Sequence, residues 1–154
     1  MTMDSEDVLR LIAWPLVGAG IGAVATFLYN RRLARIKAAI DLHSEFHSES
    51  FLKSRIEADK VLKRFVTAQK KPKISTIYAN CSPEEWLHVS RVLHFFERLT
   101  YLRENRLVHP ATCDTLFGHY IAHYKNDYFS RLTEDDGDWQ PLVRALHRLP
   151  TAQA

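Results

Sequence analysis

The chain has 154 residues, enough for one compact domain and an additional segment but too short for two domains of ordinary size. Its formal net charge of +3 is unevenly distributed, because residues 31–73 hold twelve Lys or Arg against five Asp or Glu, while residues 11–30 hold no charge. The two cysteines, Cys81 and Cys113, exclude a disulfide framework, and the concentrated basic segment favours a charged membrane surface over a nucleic-acid partner.

A transmembrane helix is predicted at residues 11–30. The segment reads LIAWPLVGAGIGAVATFLYN, and twenty residues at about 1.5 Å rise per residue match a hydrocarbon core of roughly 30 Å. A cleaved signal peptide would begin with basic residues, whereas residues 1–10 contain three acidic ones. A helix buried in a soluble core would show polar positions every three or four residues. The composition of the segment therefore favours a membrane span over both alternatives.

Basic residues follow the predicted span and indicate its orientation. They are Arg31, Arg32, Arg35 and Lys37. The N-terminal side offers only Arg10, and segments rich in Lys and Arg stay in the cytoplasm. We therefore expect residues 1–10 outside the membrane and the rest of the chain in the cytoplasm, with the four basic side chains in contact with lipid headgroups.

A stripe of small residues lies on one face of the predicted span. Gly18 and Gly22 form a GxxxG spacing, and Thr26 continues it one turn later. Such a stripe allows two membrane helices to approach closely, so it predicts self-association or a membrane-protein partner. The alternative is that small residues are simply common in membrane helices.

The remainder of the chain predicts an all-α fold. The membrane helix is expected to continue into a basic juxtamembrane helix at residues 31–48, and a cytoplasmic helical bundle at residues 49–150 follows. The predicted bundle has about four helices, at about 49–69, 83–105, 110–132 and 139–149.

Local signals give the ends of these helices. Ser82 and Glu85 form a capping-box pattern with a proline between them, Pro72 stops the preceding helix, and Asn105-Arg106 marks a turn. Asp138, at the end of an acidic loop over residues 133–138, is the predicted N-cap of the last helix. The residues expected to be buried on the helix that begins at 83 are Trp86, Val89, Val92, Leu93, Phe96, Leu99 and Leu102.

Histidines supply the weak candidates for metal chemistry. His119 and His123 stand four residues apart and share a helix face, as two ligands of a metal site would. The alternative is an ordinary solvated face that Asp127 continues. Glu85 and His88 have the ExxH spacing of di-iron bundles, but the chain has no second copy of that motif.

Two further groups of polar residues have structural interpretations. Glu97 lies in an apolar stretch, and an ion pair with Arg55 or Arg91 would stabilise it there if it were buried. His43 and His47 suggest either a pH-sensitive hinge or a solvated helix end. Catalysis would need a second positioned acid, base or nucleophile, and the sequence supplies none.

The segment Phe95-Phe96-Glu97-Arg98-Leu99, followed by Leu107 and a helix rich in Tyr and Phe, resembles a family of uncharacterised bacterial proteins. In that family an N-terminal membrane helix precedes a helical domain with an apolar-Phe-Phe-Glu segment. The resemblance implies a bacterial inner membrane location, and it transfers no catalytic residues.

These observations predict a non-enzymatic, membrane-tethered interaction module, oligomeric or a subunit of a larger membrane assembly, with no cofactor. One alternative is a membrane-bound sensor or effector of a stress or defence system. A second alternative is a metal-dependent helical enzyme.

Overall fold

The computed structural model describes the backbone of residues 5–133 and 137–150, and side chains from residue 18 onward within those ranges. Every regular element in these ranges is helical, which confirms the predicted all-α class. The elements are α1 (Ser5–Phe46), α2 (Glu49–Ala68), α3 (Ile74–Asn80), α4 (Pro83–Glu104), α5 (Pro110–Asp127), a 3₁₀ turn (Phe129–Arg131) and α6 (Gln140–His147).

The first helix runs unbroken for 42 residues, about 63 Å at the usual rise per residue. Its last part is built into the domain, because Ala39, Leu42 and Phe46 recur at helical spacing and are buried. Ser48 then adopts an extended conformation, and α2 begins at Glu49, where the sequence predicts a break. The predicted continuation of the N-terminal helix into the domain is therefore confirmed.

Among the described residues, no helix is long and apolar enough to cross a membrane. The predicted span begins with residues 11–17, whose side chains are not among those that the structure describes. Residues 1–4 of the expected external N-terminus also lie outside the described residues. The span at residues 11–30 accordingly stays a prediction.

Helices α2 and α4 form an antiparallel pair. The Ser54 hydroxyl lies 3.2 Å from Nδ1 of His88, and nearly three turns further along α2 the guanidinium of Arg64 lies 2.9 Å from Glu85 at the start of α4. The buried face of α2 meets the buried face of α4 along this pair. The α2 residues are Phe51, Ser54, Ala58, Val61, Leu62, Phe65 and Val66.

Helix α5 runs parallel to the last part of α1. The backbone N–H of His109 donates to the carbonyl of Arg35 at 3.3 Å, and eight residues later the ring of Phe117 lies 5.8 Å from that of Phe46. The start of α5 therefore lies at the level of Arg35, and its end lies deeper in the domain.

An aromatic core surrounds Phe46, the last residue of α1. The centroid of its ring lies 4.8 Å from that of Phe95, 4.9 Å from Tyr120 and 5.3 Å from Phe51. Aromatic pairs at such distances contribute roughly 0.5–1.5 kcal/mol each beyond their area burial. One fully buried ring thus joins α1 to α2, α4 and α5.

The predicted start of α4 is confirmed in detail. The Ser82 hydroxyl accepts from the backbone N–H of Glu85, and the Glu85 carboxylate accepts from the N–H of Ser82, which completes the capping box. Of the seven residues predicted to be buried on α4, Trp86 and Leu102 are half-buried and the others are buried.

The prediction of about four bundle helices is wrong, because α3 adds a fifth. This helix has only seven residues, of which Ile74 and Ile77 are buried, and so short a segment carries little periodic signal. Its exposed Tyr78 packs edge-on against Trp86 with ring centroids 5.1 Å apart.

Two predicted helix ends also differ. Helix α5 stops at Asp127 rather than about 132, because the chain tightens into the 3₁₀ turn that follows Tyr128. The N-cap of α6 is Trp139 rather than Asp138, and no side chain caps that helix. Residues 134–136 of the predicted acidic loop lie outside the described residues.

Replacing Phe46 with alanine tests the aromatic core. Because the ring is fully buried, Phe46→Ala should lower the free energy of unfolding by about 3–5 kcal/mol. Thermal unfolding of the detergent-solubilised protein would measure the change. Leu52→Ala is the matched control, since Leu52 is 44% exposed and its loss should change stability by no more than about 0.5 kcal/mol. Equal unfolding temperatures for the two variants would contradict the central position of Phe46.

Candidate functional surfaces

The first half of α1 is exposed around its whole circumference. Every residue from 18 to 34 is exposed, including large apolar side chains. The exposed fractions are 67% for Ile21, 60% for Val24, 64% for Phe27 and 57% for Leu28. Exposed apolar surface of this extent marks a site for protein or membrane contact, because contact between apolar side chains and water is unfavourable in free energy.

The predicted association face lies within this exposed half. A Cβ atom added to Gly18 or Gly22 would meet no atom within 4 Å, so the groove beside the glycines has no occupant from the described part of the chain. Thr26, one turn later, is exposed as well.

The four predicted headgroup-binding residues mark the transition from the exposed half to the domain. Arg31, Arg32 and Lys37 are exposed, whereas Arg35 is half-buried beside the start of α5. The domain therefore begins about one turn of helix after the last residue of the predicted span.

His123 belongs to a polar cluster that links α2 to α5. Its Nε2 lies 3.3 Å from Oδ1 of Asp59, and its Nδ1 lies 2.8 Å from Oδ2 of Asp127. The hydroxyl of Tyr128 donates to the same Asp59 oxygen at 2.5 Å. Both ring nitrogens of His123 thus lie within hydrogen-bond distance of carboxylate oxygens.

Tyr128 and the neighbouring Tyr124, whose ring centroids are 5.8 Å apart, both have raised pKa values. Burial and the hydrogen bond to Asp59 raise the pKa of Tyr128 well above its ordinary value, and burial raises the pKa of Tyr124 to about 12. Both hydroxyls therefore keep their protons at neutral pH. The arrangement joins α2 to the end of α5.

His119 does not share a site with His123. It is exposed, and its ring contacts that of its neighbour Tyr120, with centroids 5.7 Å apart. Among the described residues, no group of three or more His, Cys, Asp or Glu residues could hold a metal ion.

The expected ion pair between Glu97 and Arg55 does not form. Glu97 instead lies 2.9 Å from Nδ1 of His94 on the surface of α4. The antiparallel register explains this outcome, because Ser54 faces His88 and Arg91, so Glu97 lies more than a turn beyond the level of Arg55.

Arg55 instead stacks on the aromatic core. Its guanidinium carbon lies 4.1 Å from the centroid of Phe46 and 4.6 Å from that of Tyr120, and one of its terminal nitrogens donates to the Phe46 carbonyl at 3.5 Å. Its Nε is buried and finds no hydrogen-bond partner among the described residues. Cation–π contacts of this kind stabilise a charge at an aromatic face.

The two histidines at the end of α1 lie close together, with their ring planes tilted by 46° to each other. The ring centroids of His43 and His47 are 4.3 Å apart, and His47 also lies 5.4 Å from Tyr120. Burial, followed by the charges of His43 and Arg55, lowers the pKa of His47. The unfolded chain therefore binds the His47 proton more tightly than the folded chain does. As a result, the free energy of unfolding falls as the pH drops from the ordinary histidine pKa to the lower pKa that His47 has in the folded protein.

Sequence reasoning did not find Asp59 or the stacking of Arg55. Asp59 lies one helical turn after Arg55 on α2, but nothing local relates either residue to α5, which is more than fifty residues away in the chain. Only the tertiary packing brings them together.

Comparisons with protein-family models, with curated proteins and with solved structures found no match to this chain.

Proposed function

We propose that the chain is a non-enzymatic, membrane-tethered interaction module. Residues 11–30 form a single transmembrane helix, residues 1–10 lie outside, and the helical domain is cytoplasmic, at a bacterial inner membrane. The module works as an oligomer or as an accessory subunit of a larger membrane assembly.

One observation carries the proposal. Helix α1 is a single helix whose last part is buried in the domain, while the side chains of residues 18–34 are all exposed and no other described part of the chain covers them. A helix that is apolar on all sides is found in a protein core or in a membrane. Lipid contacts a helix on every side, and the exposed apolar residues of α1 surround the helix in the same way.

The charges support the orientation. Twenty uncharged residues are followed at once by Arg31 and Arg32, and the domain starts only at Arg35. Lys and Arg at this position hold the adjoining segment in the cytoplasm.

Membrane insertion is tested by alkaline carbonate extraction of cell membranes. The wild-type protein should remain in the membrane pellet, and the double variant Ile21→Arg with Val24→Arg should be released, because each central charge costs roughly 2.5–3.5 kcal/mol in a bilayer. Leu87→Arg is the control, since Leu87 is an exposed leucine of the domain and should have no effect. Release of the wild-type protein would contradict the tether, and a C-terminal reporter active only outside the cytoplasm would contradict its orientation.

Association through the membrane helix is tested by placing an isoleucine on the Gly18–Gly22 face and, separately, on the opposite face of the helix. Gly22→Ile should lower the crosslinked fraction in membranes, because the side chain would separate closely packed backbones while remaining apolar. Gly20→Ile is the matched control, as two residues turn the helix by about 200° and place the change on the other face. Neither substitution meets another part of the described chain. Wild-type crosslinking in both variants would show that assembly does not use the Gly18–Gly22 face.

A further inference from the structure

The turn between α4 and α5, residues 105–109, lies at the end of the domain nearest the exposed half of α1. The backbone N–H of His109 donates to the carbonyl of Arg35, and Val108 is fully buried. Arg35 follows Asn30 by five residues, about 7.5 Å along the helix axis. The headgroup layer on each side of a bilayer is roughly 5–7 Å thick. If residues 11–30 span the membrane, the α4–α5 turn lies at the outer edge of the headgroups.

The turn holds an arginine where glycine is usual. The N–H of Leu107 donates to the carbonyl of Leu102 and that of Arg106 to the carbonyl of Arg103, which together form a Schellman motif at the end of α4. Arg106 occupies its left-handed position with φ of 53°. Glycine adopts this conformation without steric cost, whereas a side chain is strained in it. The arginine at this position therefore suggests a functional role for its side chain.

The Arg106 side chain and its neighbour are both available. Among the described residues, the guanidinium of Arg106 has no ion pair or hydrogen bond, and Leu107 is 49% exposed. A long cation next to an apolar side chain suits contact with the headgroup region of a bilayer.

A cleft beside the turn has room for a headgroup. Its volume is about 270 Å³, and it is lined partly by Arg103, Arg106 and Arg148. Arg103 is paired with Asp114 at 2.9 Å and Arg148 with Glu104 at 3.2 Å. The charge left uncompensated in the cleft is that of Arg106, which makes the cleft attractive to a single phosphate.

We propose that the α4–α5 turn docks onto anionic phospholipid headgroups of the bilayer that holds residues 11–30. Arg106 contacts a lipid phosphate at the cleft, and the exposed Leu107 next to it lies against the headgroup layer. This inference rests on the proposed function and deepens it. The domain is then attached to the membrane at two places, α1 and the α4–α5 turn. The second attachment determines which side of the domain faces the membrane.

The test places an environment-sensitive fluorophore on Leu107→Cys in the full-length protein, reconstituted in phosphatidylcholine vesicles with and without phosphatidylglycerol. Cys81→Ser removes the more accessible native thiol. Cys113 is fully buried, and burial raises its pKa to about 11, so it stays unlabelled. Leu87→Cys is the matched control, because Leu87 is 62% exposed and lies about 25 Å from the end of α4, at the far end of the domain.

Lipids that carry a quencher at the headgroup should quench the probe at residue 107 and not the probe at residue 87, and phosphatidylglycerol should strengthen the effect. Arg106→Asn removes the charge but tolerates the left-handed turn, and it should weaken docking about five-fold, the effect of one cation at an anionic surface. Arg106→Lys should retain most of the quenching.

Equal quenching of the two probes in protein that floats with the vesicles would overturn the docking surface and leave the membrane tether intact. A concentration-dependent blue shift at residue 107 without quenching would overturn it too, since a second copy would then cover the turn. Protein that fails to float with the vesicles would remove the tether and the docking surface together.

Discussion

The burial of Phe46 at the end of α1 is the contact on which the rest of the arrangement depends. Its ring closes the aromatic core between α2, α4 and α5, and the Arg55 guanidinium covers its face. Because α1 is continuous from Ser5, a residue fixed in the core also fixes the direction of the exposed half. A flexible linker in place of residues 31–38 would leave the domain free to rotate. We therefore expect the packed helix to hold the apolar segment and the domain in one fixed orientation.

Polar contacts complete the core at its edges. The cluster of Asp59, His123 and Tyr128 bridges α2 and α5 with its donors and acceptors matched to each other. The hydroxyl of the buried Tyr128 and the His123 imidazole, which lies between two carboxylates, therefore help to hold α5 against α2 in one register.

The sequence predicted correctly those structural features that depend on residues close together in the chain. The capping box at Ser82 and Glu85 depends on four consecutive residues, and the sequence predicted the start of α4 to the residue. The continuation of α1 into the domain follows from the lack of Pro and Gly between residues 31 and 46. The short helix α3 has too few residues for a periodic pattern, and the partner of Glu97 depends on the register of α2 against α4, which no local pattern encodes.

The rigidity of α1 can be measured by the distance between two spin labels. In the Cys81→Ser background, Leu28→Cys places one label in the exposed half of α1 and Leu87→Cys places the other at the far end of the domain. In the reconstituted full-length protein, one narrow distance distribution is expected, which Phe46→Ala should broaden because the helix loses its fixed end. A broad or bimodal distribution in the protein with Phe46 intact would show that α1 bends between residues 30 and 46, and would contradict the rigid connection between the apolar segment and the domain.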